Sequence, residues 1–65
     1  MQELDVLLLR WLDRGYAAAS DARRGAFLAL LDTEDDRLWR WFLGQERAQD
    51  GDIDALVRHI RSLPP

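Results

Sequence analysis

Cysteine and lysine are absent from this 65-residue chain, histidine occurs once, and the only two prolines stand side by side at positions 64 and 65. Without cysteine there is no disulfide, no thiolate metal site and no thiol nucleophile. One histidine, His59, cannot make a usual zinc site, and it leaves general acid–base catalysis little to work with. The four glycines are scattered, with no run that could cradle a phosphate. The acidic cluster Glu34, Asp35 and Asp36 lacks the spaced oxygen ligands and glycine turn of a calcium loop. Charges interrupt every apolar stretch, so no segment can span a bilayer, and no basic start leads into an apolar run as in a signal peptide. The expectation is therefore a non-enzymatic, cytoplasmic protein with no cofactor and no metal.

What is present is acid, arginine, leucine and tryptophan. Twelve acids stand against nine bases, all arginine, for a net charge of −3. An acidic total argues against binding a phosphate backbone, which needs a positive surface. A chain of this length makes one domain and buries only about 60% of the surface its unfolded form exposes.

Hydrophobic spacing predicts four helices and no strand, an all-α bundle. The first runs from about Gln2 to Arg14, with Leu4, Leu7, Leu8, Trp11 and Leu12 on one arc. Gly15 follows as an expected C-cap with left-handed backbone. Ser20 or Asp21 caps a second helix to about Asp32, whose inward face is Phe27, Leu30 and Leu31. Gly25 inside it marks either a close helix crossing or drift. Thr33 or Asp35 caps a short third helix to about Leu43, ended by Gly44. A polar loop follows, and the last helix starts near Asp50 or Asp52 and reaches about Leu63. Ile53, Leu56, Val57 and Ile60 give it the cleanest apolar stripe in the chain. His59 flanks that stripe and is expected to be solvated or half-buried.

Two features do not fit a simple core. Val6 and Leu9 fall among the charges of the first helix, on the side away from its apolar arc. They read either as ordinary surface residues or as a contact strip with charged rims. Trp39 and Trp41, two residues apart, cannot point the same way, so one of them should face outward or cover a groove.

The run Met1-Gln2-Glu3-Leu4-Asp5, followed by Leu31-Asp32-Thr33-Glu34-Asp35-Asp36-Arg37-Leu38-Trp39-Arg40-Trp41, resembles the SdhE family. These bacterial assembly factors promote covalent attachment of FAD to the flavoprotein subunit of succinate dehydrogenase and of related fumarate reductases. The resemblance implies that residues 1–65 form an SdhE-like helical domain whose partner is such a flavoprotein subunit. Glu3 would be the central contact, with Asp5, Val6, Leu9 and Arg10 around it. Family members carry a further helix before this point and the motif Arg-Gly-x-x-Glu. Only Glu3 of that motif is found here, so the resemblance implies four helices of a five-helix domain; an internal methionine taken as the start is the favoured explanation, beside a truncated form and a diverged paralogue. Val6 and Leu9 would then lack a cover, lowering stability or allowing self-association through the first helix. The rival readings are another protein-binding regulator, such as an antitoxin-like protein, and a helix-turn-helix DNA binder using Arg23, Arg24, Arg37 and Arg40.

Overall fold

The stripe of the last helix organises the molecule. The computed structural model describes residues 2–63. Its helices, in chain order, are α1 (Gln2–Arg14), α2 (Asp21–Leu31), α3 (Asp35–Phe42) and α4 (Gly51–Arg61). Among the described residues there is no strand. Helix α4 packs against each of the other three, most extensively against α2, and α1 also meets α3. Leu56, Val57 and Ile60 of α4 are buried at the centre. Around them sit Leu4, Leu8 and Trp11 of α1, Ala26, Phe27 and Leu30 of α2, and Leu38, Trp41 and Phe42 of α3.

The helix ends follow from local chemistry. Ser20 caps α2, its Oγ accepting the backbone N–H of Arg23 at 3.1 Å. Asp50 caps α4, Oδ1 accepting the N–H groups of Asp52 at 2.8 Å and Ile53 at 3.2 Å. The α3 cap differs from expectation. Glu34 occupies that position and makes no side-chain cap hydrogen bond. Thr33 is diverted, its hydroxyl donating to the Ala29 carbonyl at the end of α2. The left-handed backbone lies at Gly44, with φ of +77°, and not at Gly15. Only there does the chain need glycine's tolerance of positive φ to leave a helix.

Gly15 has a different reason. A Cβ at this position would sit 2.6 Å from Trp11 Nε1. The Trp11 ring cannot yield, because it packs at a tilt of 44° against Phe27 (centroids 4.8 Å apart) and meets Tyr16 edge-on (5.8 Å). Arg24 closes this corner: Nε and Nη2 donate to the Tyr16 and Ala17 carbonyls, and the guanidinium lies 5.4 Å from the centroid of the Tyr16 ring. Gly25 is the opposite case. No atom lies within 4 Å of a Cβ placed there, so the close-crossing reading does not hold.

Two apolar residues expected inside are outside. Leu31 is 56% exposed and Leu12 44%. Each lies at the edge of its helix's apolar arc, and the arc that neighbours cover is narrower than the arc of apolar residues. Ala26, at the opposite edge of the α2 arc, is buried.

The loop after α3 is held by charge. Glu46 accepts the Trp41 indole N–H at 3.1 Å and lies 3.8 Å from Arg37 and 3.5 Å from Arg40. Asp54 Oδ2 accepts from Arg58 at 2.9 Å, one turn on in α4, and from Arg47 of the loop at 3.1 Å. These hydrogen bonds, Arg58 first and then Arg47, hold the Asp54 carboxyl below its ordinary pKa against the opposing effect of burial.

Two outcomes follow. Gly15→Ala should destabilise the protein by about 1–3 kcal/mol through overpacking, whereas Gly25→Ala should stabilise it by about 0.5–1 kcal/mol. Urea unfolding of both variants checks the contrast, and equal effects would contradict this packing. The depressed Asp54 pKa means that its stabilisation is complete above the unfolded aspartate value of roughly 3.9 and is lost as pH falls through the lower folded value. Asp54→Asn should therefore lose less stability than the parent between pH 6 and pH 3.

Candidate functional site

Helix α1 turns one face inward and leaves the other to solvent. Val6 is 48% exposed and Leu9 61%, as their place among the charges implies. Glu3 and Asp5 are exposed acids in the first turn, where they suit the helix dipole, and Arg10 is half-buried. The five residues do not form one cluster. Glu3 and Val6, three apart, share the side of α1 that meets α3. There they line a shallow groove of about 410 Å³ with Leu7 and Trp39. Arg10 follows Val6 by one turn along that side. Asp5 and Leu9 lie on the adjoining solvent face, outside the groove.

Leu7 and Trp39 were not among the expected contact residues. Leu7, on the apolar arc of α1, is half-buried and serves both the core and the groove. The two-residue spacing of the α3 tryptophans did carry the signal. Trp41 is buried, and Trp39 is half-buried with a face in the groove. An apolar floor with one carboxylate at its rim suits an apolar side chain flanked by a cation or a hydrogen-bond donor.

Of the four arginines considered for DNA contact, Arg24 is spent on the α1–α2 corner, and Arg37 and Arg40 lie against Glu46. His59 is exposed. Among the described residues no group of three or more His, Asp or Glu is placed to hold a metal, and no helix is long and apolar enough to cross a membrane.

The sequence pattern of one family, described as "flavinator of succinate dehydrogenase", matches residues 1–64. The chain belongs to this family. It is 53% identical over 64 residues to the FAD assembly factor SdhE of Xylella fastidiosa, covering 98% of this chain and 66% of that one. It is also similar to the proteins of the same name from Shewanella oneidensis (38% over 61 residues; 94% and 74% covered) and Yersinia pestis (31% over 62; 95% and 70%). The chain thus spans just under two thirds of the length of its Xylella relative. No solved structure gives a significant match.

Proposed function

We propose that residues 1–65 act as an SdhE-like unit that binds the flavoprotein subunit of succinate dehydrogenase, or of a related fumarate reductase, in the cytoplasm and promotes its covalent flavinylation. The observation that carries this reading is the apolar groove of Val6, Leu7 and Trp39 with Glu3 at its rim, on a chain of the flavinator family. Glu3, Val6 and Arg10 would meet the partner along the groove, with Asp5 and Leu9 on the adjoining face.

The factor works by differential binding and does no chemistry itself. A ligand shifts a conformational equilibrium only by the difference in its affinity for the two states. Covering the exposed parts of Val6 and Leu9 is worth about 2 kcal/mol together. A charge-assisted hydrogen bond to Glu3 adds about 1.5–3 kcal/mol. If both contacts form only in the flavinylation-competent arrangement, the sum, about 4 kcal/mol, shifts the equilibrium nearly a thousandfold. The flavin belongs to the partner, since an acid at the rim of this groove would repel a pyrophosphate.

The uncovered α1 face also offers a site for self-association, which size-exclusion chromatography over a concentration series would reveal. An antitoxin-like regulator would co-purify with a toxin in place of a flavoprotein. A DNA binder would retard a duplex in an electrophoretic shift assay, against which the engagement of Arg24, Arg37 and Arg40 within the fold weighs.

Glu3→Ala should change stability by no more than about 0.3–1 kcal/mol. Its affinity for the flavoprotein subunit, measured by calorimetry, should fall tenfold or more, and covalent flavin fluorescence of the subunit in denaturing gels should fall with it. A variant that melts well below the parent makes Glu3 structural and removes it from the site. The purified chain should be colourless, and stoichiometric flavin absorbance surviving gel filtration would overturn the assignment of FAD to the partner.

A further inference from the structure

At the opposite end of α1 from the groove, the α1–α2 corner holds a cleft of about 290 Å³. Trp11 is one of the residues that line it. That residue is only 1% exposed, and its ring is fixed between Tyr16 and Phe27. The N–H edge faces Gly15, whose missing side chain leaves it uncovered. Trp41, the other buried tryptophan, gives its N–H to Glu46. No described residue accepts one from Trp11. The N–H is not sealed in the interior, since no buried side-chain nitrogen or oxygen among the described residues lacks a partner; it opens onto the cleft.

The other polar groups lining the cleft are Ser20, Arg23 and His59. No carboxylate lines it, although acids outnumber bases in the chain. Arg23 is half-buried and forms no ion pair among the described residues, unlike Arg37, Arg40, Arg47 and Arg58. Ser20 Oγ already accepts from the Arg23 backbone N–H, so its own hydrogen remains to be donated. The positive end of α2 begins here. The cleft therefore gathers donors of hydrogen bonds and one full positive charge, with no resident acceptor.

We propose that this cleft binds a short-chain carboxylate, its head on Arg23 and the Trp11 indole N–H and its aliphatic stem along Ala18 and Ala19. One guanidinium balances one carboxylate, and its planar fork matches two coplanar oxygens. Phosphate sites ordinarily draw on several backbone N–H groups as well, and here the third amide of α2 is already capped by Ser20. The site is separate from the groove and does not depend on the assembly-factor reading.

Nitrogen-15 NMR tests it on the full chain. The three indole N–H signals are assigned with Trp39→Phe and Trp41→Phe, leaving Trp11 by difference. Sodium butyrate, acetate and phosphate are titrated at fixed pH and ionic strength. Butyrate should move the Trp11 signal saturably and more tightly than acetate, while the Trp39 and Trp41 signals stay in place. Arg23→Gln should weaken the binding about tenfold or more, and His59→Ala, at an exposed position, should weaken it severalfold. Absence of a saturable Trp11 shift, or full binding by Arg23→Gln, overturns the site. Tighter binding of phosphate than of butyrate overturns the carboxylate assignment.

Discussion

Interior space is the constraint on which the rest of this structure depends. Four short helices around a common centre each bury three side chains, and α4 supplies the three at the middle. A chain of this size cannot hide much more. Leucines beyond that allotment stay at the surface whether or not they have a task, which is why Leu12, Leu28, Leu31 and Leu43 are exposed along with Val6 and Leu9. Exposure by itself therefore does not mark a site here. What separates Val6 is its company: a half-buried tryptophan from a second helix and an acid on the adjacent turn.

The three tryptophans show how one residue type is put to different uses by its surroundings. Trp41 closes the core and ties its N–H to the loop through Glu46. Trp39 leaves a face at the surface, between α1 and α3. Trp11 locks the α1–α2 corner by aromatic contact and keeps a donor unused. The corner tolerates that large ring only because Gly15 gives way to it, and Arg24 secures the turn on the outer side. Sequence spacing separates Trp39 from Trp41, but it is blind to Trp11, whose role depends on residues of α2 that only folding brings near.

The same distinction explains what could be read in advance. Periodicity within a helix locates α1 and α4 almost to the residue, and the caps Ser20 and Asp50 are local enough to be named from the sequence. Gly44 as a stop is local too. The misses lie where two elements compete for one group. Thr33 could cap α3 by sequence, but the preceding helix takes its hydroxyl. Gly15 has the position of a left-handed cap, but the ring four residues back decides its use. Leu31 has the periodicity of a core residue, but no neighbouring helix covers that edge of α2. For the candidate site, the exposure of Val6 and Leu9 is legible from the helical wheel. The groove is not, because Trp39 reaches it from another helix.

The groove and the cleft lie toward opposite ends of α1. From Glu3 to Gly15 is twelve residues, about 18 Å at the rise of an α-helix. A partner seated on the first two turns and a carboxylate held at the far corner would not collide. Any communication between them would have to pass through α1 itself. Leu4 and Trp11 anchor its two ends in the same core, both almost fully buried. Close packing resists small independent shifts of such anchors, so α1 would move as a unit or not at all. Tyr16 and Phe27 already hold the Trp11 ring, so a ligand at that corner meets an α1 whose position is set, and with no second arrangement of the helix to favour, it leaves the face that carries Glu3 and Val6 as it is.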